Sequence, residues 1–377
     1  MNKSSTPLHT ETQSGALINE KATRHSILSH FQRWEWLLVI LIMVDVFINM
    51  RMSPYFLDGR NLARASSDFM ELGLMMLPMV FIIITGGIDL SVASNLGMCA
   101  SFMGLLFMNG TNIWMAALAA LILGVLGGLL NGMLVAKVKL PPLVVTLGTY
   151  AFYRGIAYVM LGDQAARNYP PEFTYLGQGK IPGTLIPFSV VLFVVMAIIF
   201  TLVLHKTTFG RYLFTIGNNE NASTFSGVPV EKVKISIYAI SGFMAALAGL
   251  ILAARFGSTR PDIGNGMELT VITTAVLGGV DINGGIGTMG GSALSLLLIG
   301  LMRFGMGLVN IQGQVQGVAI GLLLIFSILL PNIARGFSSK SIKLDRQNLT
   351  AIAIFTAIFL LFILFFFWSR APIITAG

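Results

Sequence analysis

Long apolar runs alternate with short polar connections along most of this chain. Runs of about 17–23 residues have the length of a helix that crosses the hydrocarbon core of a bilayer. Eleven apolar segments occur, at residues 36–50, 69–84, 92–108, 113–135, 143–161, 185–204, 235–254, 269–277, 292–309, 317–330 and 351–368. Segments 69–84 and 269–277 are short for a span of about 30 Å, so broken or tilted helices are expected there. The pattern predicts an all-α polytopic membrane protein with about ten core transmembrane segments and an extra C-terminal span.

The composition agrees with a membrane protein and argues against a soluble one. Only 11% of the 377 residues are charged and 55% are apolar, whereas an average soluble domain has about 25% charged residues. The net charge of +8 comes from Lys and Arg placed between the apolar runs, where cytoplasmic loops normally carry them. No basic stripe with interleaved aromatic residues occurs, so the sequence predicts no nucleic-acid partner.

Three connections are rich in Lys and Arg, at 137–139, 205–234 and 331–346. If all three are cytoplasmic, an even number of segments separates each connection from the next, as a chain that crosses and returns requires. The N-terminus is then cytoplasmic too. The predicted organisation is then a cytoplasmic tail at 1–34, a membrane domain at 35–335, and a basic linker with the extra apolar run at 336–377. The membrane domain divides into halves at about 35–204 and 235–335, joined by a cytoplasmic loop at 205–234.

The chain also repeats itself at a spacing of about 190 residues. The stretch "GGIDLS" at 86–91 recurs as "GGVDIN" at 278–283. A ladder of glycines at 124, 128 and 132 is matched by one at 313, 317 and 321. We interpret the paired spacing as a duplicated half, an organisation typical of transporters, whose substrate path lies between the repeats.

The residues argue against nucleotide binding, metal binding and an internal disulfide. Gly285, Gly287 and Gly290 have the spacing of a dinucleotide-binding loop, but an apolar run follows and no acid occurs between Asp281 and Asp345. We therefore interpret this stretch as a glycine-rich break between membrane helices. The chain has no P-loop, so it is expected to bind no ATP and to need no cofactor of its own. Its four histidines are isolated, which predicts no metal site, and its one cysteine excludes an internal disulfide.

Charged side chains in or beside the apolar runs are the candidates for function. Asp89 and Asp281 each follow a Gly-Gly pair and precede an apolar run, the position of a helix N-cap. On the structural interpretation, the glycines end one helix, and Asp89 with the Ser91 hydroxyl satisfies the freed backbone of the next. On the functional interpretation, the break lines a transport path; both remain open. Arg303 is too central in its run to reach water, which predicts a buried partner or a wet cavity.

Four ordered blocks resemble a known family. They are "ITGGIDLSVAS" (84–94), "LPPLVVTLGTYAFYRGIAYVMLG" (140–162), "TTFGRYLFTIGNNENASTFSGVPVEKVK" (207–234) and "ELTVITTAVLGGVDINGGIGTMGG" (268–291). Together they resemble the ribose/galactose-type permease subunits of bacterial ABC sugar importers, over about residues 35–335. Within that family the chain looks most similar to the permeases for rhamnose and autoinducer-2. It departs from the family at Ala93, where glycine is usual, and in its added run at 351–368.

The resemblance implies a multi-pass permease subunit in the bacterial inner membrane, surrounded by lipid and without enzymatic activity. It also implies three kinds of partner: cytoplasmic ABC ATPase subunits, a second copy or a homologous permease, and a periplasmic sugar-binding protein. The stretch 218–228 would be the coupling helix that docks in the ATPase. Asn218 or Asn219 would cap it, Glu220 would lie in its first turn, Phe225 would be its apolar anchor and Gly227 would end it. The alternative for this stretch is an ordinary solvated loop.

An uncharged sugar needs hydrogen-bond partners along its path rather than a strong charge. The candidate path residues are Asp89, Ser91, Asn95, Thr146, Thr149, Thr273, Thr274, Asp281 and Asn283. The expected function is import of a sugar or sugar-like molecule, such as rhamnose, a ribose-type monosaccharide or autoinducer-2. One alternative is a secondary transporter driven by an ion gradient, which would require paired intramembrane carboxylates. The other is a membrane enzyme, which would require a cluster of reactive side chains at one membrane face.

Overall fold

The computed structural model describes residues 35–338, with side chains as far as residue 325, and these residues are mainly helical. The predicted tail at 1–34 and the extra run at 351–368 lie outside the described residues. The helices are α1 (35–52), α2 (Gly59–Ser67), α3 (Met70–Ile84), α4 (Val92–Met108), α5 (Ile113–Ala136), α6 (Pro142–Leu161), α7 (Pro171–Gln178), α8 (Phe188–Lys206), α9 (Thr208–Asn218), α10 (Glu220–Phe225), α11 (Val230–Phe256), α12 (Met267–Leu277), α13 (Met289–Leu308) and α14 (Gly313–Ser338). Two short strands, β1 (Ala166–Arg167) and β2 (Ser258–Thr259), pair antiparallel.

The predicted all-α polytopic fold is confirmed. Among the described residues, α5, α6, α8, α11 and α13 are long and apolar enough to cross a membrane. The pair α2 and α3 is a sixth candidate, bent by 48° at the break between them, and α4 and α12 are shorter apolar helices. The expectation of a broken helix near 69–84 is therefore confirmed, whereas a break or tilt at 269–277 remains a prediction. By length alone the described part contains five or six spans, so the count of ten remains a prediction.

The interior is centred on α3 and α11. Every residue of α3 is buried, including Pro78 within the helix. Helix α11 belongs to the predicted second half but packs against α3, α4 and α5 of the first half. Glycines permit this approach: a Cβ on Gly128 would overlap the backbone of Tyr238, and a Cβ on Gly132 would lie 2.8 Å from the Cα of Ile235.

The opposite side of α5 faces outward. Leu118, Ile122 and Leu126 recur every four residues and are 60%, 54% and 55% exposed. Residues four apart lie on one face of a helix, so α5 has a glycine face toward α11 and an aliphatic face toward its surroundings. An exposed aliphatic stripe on an apolar helix is what contact with lipid requires, because no polar face is present to meet water.

Helix α11 separates two ends of the bundle. Its 27 residues rise about 40 Å, from Val230, beside α10, to Phe256, beside β2. We call these the α10 end and the strand end. At the strand end, Ala166 of β1 pairs with Thr259 of β2, which ties the loop after α6 to the loop after α11. The chain to Asn310 forms one compact unit, and a second unit from Ile311 contains α14.

The order of elements supports part of the predicted repeat. Helix α3, a Gly-Gly-x-Asp break, α4, a short turn and α5 are followed later in the chain by α12, a Gly-Gly-x-Asp break, α13, a short turn and α14. The two glycine ladders do not match in the same way. Gly124 lies near the middle of α5, whereas Gly313 is the first residue of α14. The two Gly-Gly-x-Asp breaks thus occupy equivalent positions in the order of helices, whereas the two glycine ladders do not.

Candidate functional site

The first helix break is closed by a buried carboxylate. Gly86 has a φ of +78° and ends α3. Asp89 follows it and is only 3% exposed. Its Oδ1 accepts from the Ser91 backbone N–H at 2.9 Å and from the Ser91 hydroxyl at 2.6 Å, and its Oδ2 accepts from the Ser241 hydroxyl of α11 at 2.9 Å. These three donors are neutral, so hydrogen bonds rather than a cation compensate the buried carboxylate here.

A wider polar network fastens this break to three helices. The Asn131 side chain of α5 donates to the Ser91 hydroxyl at 2.8 Å. The Thr146 hydroxyl of α6 donates to the Ile88 carbonyl at 3.0 Å. The Tyr153 hydroxyl, also on α6, donates to the Gly127 carbonyl at 2.8 Å. The break is therefore held by α5, α6 and α11 together, and its shape depends on how these helices pack.

The capping hypothesis is partly confirmed. Asp89 does accept a backbone N–H at the start of α4, as expected. The N-cap residue itself is Ser91, and its side chain makes no capping hydrogen bond. The expectation that the Ser91 hydroxyl satisfies the backbone is wrong, because that hydroxyl donates to Asp89 and accepts from Asn131.

The second break is longer and less buried. Gly279, Gly284 and Gly285 all have positive φ, so the chain continues as a loop beyond the repeated motif. Helix α13 begins at Met289 with Thr288 as its N-cap. The expectation that Asp281 caps this helix is wrong, because the glycines place the helix start several residues further on. Asp281 instead accepts from the backbone and side-chain amides of Asn283, both at 3.0 Å.

The other predicted path residues are buried and hydrogen-bonded within the helix packing. The hydroxyls of Thr149, Thr273 and Thr274 donate to backbone carbonyls one turn earlier in their own helices. Asn95 donates to the Gly124 carbonyl at 3.3 Å and accepts from the Cys99 thiol. Five of the nine predicted residues, Asp89, Ser91, Asn95, Thr146 and Thr149, thus lie on α4, α6 or the first break. Thr273 and Thr274 lie on α12, and Asp281 and Asn283 lie on the second break.

The two breaks meet each other. The Gly285 N–H of the second break donates to the Ile84 carbonyl, at the C-terminus of α3, at 2.8 Å. The contact lies beside the last turn of α9, because a Cβ on Gly217 would overlap both groups. The equivalent breaks of the two halves therefore converge next to the segment that leads into α10.

The segment predicted as a coupling helix is a helix in the structure. Asn219 is the N-cap of α10 and accepts from the Ala222 N–H at 2.9 Å, and Glu220 lies in the first turn. Glu220 also forms an ion pair of 2.7 Å with Lys234 of α11.

The end of α10 is exposed beside a cavity. Phe225 is 92% exposed, and Gly227 follows with a φ of +80°. A cavity of about 650 Å³ lies beside α10, lined by parts of 135–142 and 220–234. Asn218, the other proposed cap, is the last residue of α9 and donates to the Phe214 carbonyl.

Sequence reasoning missed an ionic cluster at the strand end. Arg255, in the last turn of α11, donates to Glu71 at 2.8 Å and to Asp68 at 2.7 Å. The Glu71 side chain is fully buried, whereas that of Asp68 is 64% exposed. The signal in the sequence was a glutamate inside the apolar run 69–84. Its partner could not be read because it lies 184 residues away in the chain.

One arginine of the apolar runs, Arg303, lies near this cluster. Arg303 lies 3.3 Å from the Thr270 hydroxyl and lines a cavity of about 360 Å³ with Asp68, Arg255 and Asp262 among others. The predicted buried partner or cavity for Arg303 is therefore confirmed. Arg154 donates to the carbonyls of the loop after β2, at Pro261 and Ile263, and to Ala93 of α4.

The apolar helices and the buried polar breaks between them place the chain in the class of polytopic membrane proteins. The chain belongs to the family described as "Branched-chain amino acid transport system / permease component", which matches residues 61–328. It is 34% identical over 322 residues to the autoinducer 2 import system permease protein LsrD of Escherichia coli (strain K12), covering 84% of this chain and 94% of that protein. It is 35% identical over 302 residues to LsrD of Enterobacter sp. (strain 638), covering 78% and 92%. No solved structure matches the chain.

Membership of this family confirms the resemblance read from the four sequence blocks. The chain is the permease component of an ABC-type import system, a multi-pass protein of the bacterial inner membrane, and a non-enzymatic part of that system. Nothing in these comparisons favours the alternative of an ion-driven secondary transporter.

Proposed function

We propose that this chain forms the membrane path of an importer driven by a separate cytoplasmic ATPase, which docks on α10. The observation that carries the proposal is the geometry of Phe225, a large apolar side chain that is 92% exposed on a short capped helix. Exposed aromatic residues of this kind are typical anchors of protein interfaces. The adjacent cavity and the convergence of the two breaks beside α9 support the same assignment. The chain would need no cofactor of its own.

The proposed cargo is autoinducer-2 or a related small sugar. Support comes from two relatives named as autoinducer 2 permeases, each covered over more than nine tenths of its length. The polar side chains around the first break are mostly hydroxyls and amides, which suit a hydroxylated, uncharged molecule. Because the family description names branched-chain amino acids, leucine is the competing cargo that a test must include.

The remaining partners follow from the two ends of the bundle. With the α10 end cytoplasmic, the basic residues of 205–234 lie inside, and the strand end faces a periplasmic sugar-binding protein. A second copy of this chain or a homologous permease would complete the path. The exposed face of α6, which includes Gly148 and Gly155 with open space beside them, is available for that contact. Lipid would cover the aliphatic faces of α5 and α8.

The docking proposal is tested with the double substitution Glu220→Lys and Phe225→Ala in the complete transporter. We expect loss of transporter-stimulated ATP hydrolysis with unchanged membrane insertion, because the variant removes the anchor and reverses a charge on the same small surface. Phe256→Ala is the matched control, since Phe256 is also exposed but lies at the strand end. Full stimulation in the double variant would place the ATPase contact elsewhere.

The cargo and energy source are tested in inverted membrane vesicles supplied with ATP and a binding protein enclosed in the lumen. Labelled autoinducer-2, rhamnose, ribose and leucine are compared as cargo leaving the lumen. Transport that requires the ATPase and survives an ionophore supports the proposal. Transport that stops with the ionophore and survives removal of the ATPase would identify a gradient-driven carrier.

The orientation is tested with reporter tags. Tags at Asn218 and Lys340 should report the cytoplasm, and a tag at Arg167 should report the periplasm. A tag at Gly377 should report the periplasm if the run at 351–368 spans the membrane. A periplasmic signal from Asn218 would reverse the proposed orientation and remove α10 from reach of a cytoplasmic ATPase.

A further inference from the structure

Helix α9 connects the proposed docking helix with the interior of the bundle. Its N-terminal half packs against α3, where the rings of Phe209 and Phe81 lie 6.4 Å apart. Its C-terminus is continuous with α10, because Asn219 is both the C-cap of α9 and the N-cap of α10. The two helices are therefore joined through a single residue.

That last turn meets the two breaks at Gly217. A Cβ at this position would overlap the Ile84 carbonyl oxygen of α3 and the Gly285 backbone nitrogen of the second break. Both groups belong to backbone, and they are hydrogen-bonded to each other at 2.8 Å. Neither can rotate away as a side chain could, so the position requires glycine for close approach.

The other side of the contact is equally close. A Cβ on Gly284 would lie 3.0 Å from the Ile84 carbonyl oxygen and 3.1 Å from both the Gly217 carbonyl oxygen and the Gly86 nitrogen. A Cβ on Gly285 would lie 2.6 Å from Oδ1 of Asn218. Three segments, the end of α3, the second break and the end of α9, thus touch backbone to backbone. We call this contact the glycine junction.

We propose that Gly217 is the positioning residue through which movement of α9 and α10 is passed to both helix breaks at once. The proposal rests on the proposed function, because it requires an ATPase that moves α10. Direct backbone contact without intervening side chains leaves little slack, since packed backbone segments shift as a body rather than deform. The first break, in turn, is fastened to α6 and α11 through Thr146 and Ser241. The glycine junction would therefore convert one docking movement into a coordinated change in both halves.

The test measures two separations by paired spin labels in the complete transporter, in the nucleotide-free state and in the vanadate-trapped state. One pair joins Asn221 on α10 to Leu126 on α5, and the other joins Asn283 on the second break to Leu126. The chain has a single cysteine, Cys99, and it is buried, so introduced cysteines can be labelled selectively. In the parent protein we expect both separations to change between the two states.

The decisive variant is Gly217→Ala, with Gly307→Ala on α13 as its control because a Cβ on Gly307 meets nothing within 4 Å. In Gly217→Ala the Asn221 separation should still respond to trapping, and the Asn283 response should be lost. In Gly307→Ala both responses should persist. If both persist in Gly217→Ala as well, the proposal is overturned.

The parent protein provides a test that does not depend on the variant's folding. A parent in which Asn221 moves but Asn283 stays fixed would overturn the role of Gly217 and leave ATPase docking on α10 standing. A parent in which neither label responds, although the ATPase hydrolyses ATP in the complex, would overturn the role of Gly217 together with docking on α10. The proposal is supported if the Gly217→Ala protein inserts, retains the ATPase and hydrolyses ATP without a change at Asn283.

Discussion

Replacing Asp89 by leucine removes the acceptor of the three hydrogen bonds that close the first helix break. The donors are the backbone N–H and the hydroxyl of Ser91, and the hydroxyl of Ser241. All of them are buried, so water is not at hand to replace the carboxylate. Leucine keeps the branching of aspartate but is the larger side chain, so overpacking adds to the loss of hydrogen bonding.

The magnitude follows from the number of donors left without a partner. A buried donor without an acceptor costs about 1–3 kcal/mol. The Ser91 N–H is fixed by the backbone and keeps that full cost, whereas the two hydroxyls can rotate toward helical carbonyls. We therefore expect Asp89→Leu to lower the free energy of unfolding by about 2–4 kcal/mol. Asp89→Asn keeps an oxygen for the Ser91 N–H, so its loss should be about 1 kcal/mol or less.

The assay is unfolding of the purified protein in mixed micelles titrated with sodium dodecyl sulfate, followed by intrinsic fluorescence. Asp58→Leu is the matched control. Asp58 caps α2 and accepts from the Arg60 and Asn61 N–H groups, but it is exposed, so water can replace the lost acceptor. Its expected cost is about 1 kcal/mol. If Asp89→Leu and Asp58→Leu unfold at the same detergent fraction, burial of the Asp89 network contributes nothing, and the reasoning fails.

Three further predictions use the same unfolding assay or the ATPase assay. Glu71→Gln should lower the free energy of unfolding by about 3–5 kcal/mol, because it breaks a buried ion pair. Asp68→Asn, at an exposed ion pair, should lower it by about 1 kcal/mol or less. Equal costs for the two variants would contradict the argument from burial. Gly128→Ala should cost at least about 1–3 kcal/mol through overlap with α11, and an unchanged midpoint would show that α5 and α11 separate readily. Asn219→Ala should weaken stimulation of the ATPase, because it removes the cap of α10. Asn219→Asp keeps the acceptor oxygen and should leave stimulation unchanged. If the alanine and aspartate variants behave alike, the cap is irrelevant to docking.

The elements of the fold were readable from the sequence because a bilayer imposes strong local rules. Backbone polar groups in hydrocarbon must be satisfied within their own helix, so an apolar run of sufficient length predicts a helix. The break after α3 was equally readable, since Gly86 and Gly87 precede an acid and a new apolar run. Helix α10 was predicted from an asparagine cap and from Gly227, both of which act within a few residues of their own position.

The second break shows where this local reasoning ended. Its motif copies the first, yet α13 starts at Met289 rather than directly after Asp281. The added glycines Gly284 and Gly285 adopt positive φ, and the Gly285 N–H donates to the Ile84 carbonyl. The course of the loop is therefore set by a contact with α3 rather than by a cap at Asp281.

Only the tertiary structure decided which groups became partners. Asp89 meets Ser241, 152 residues away, and Glu71 meets Arg255, 184 residues away. Hydropathy and capping rules describe the residues within one element, whereas these pairs depend on how α3, α4 and α11 pack together. The sequence by itself thus determined which segments are helices and where they break. The packing of those helices determined that the breaks of the two halves would meet beside α9, because a backbone contact at Gly217 has no side-chain pattern from which it could be read.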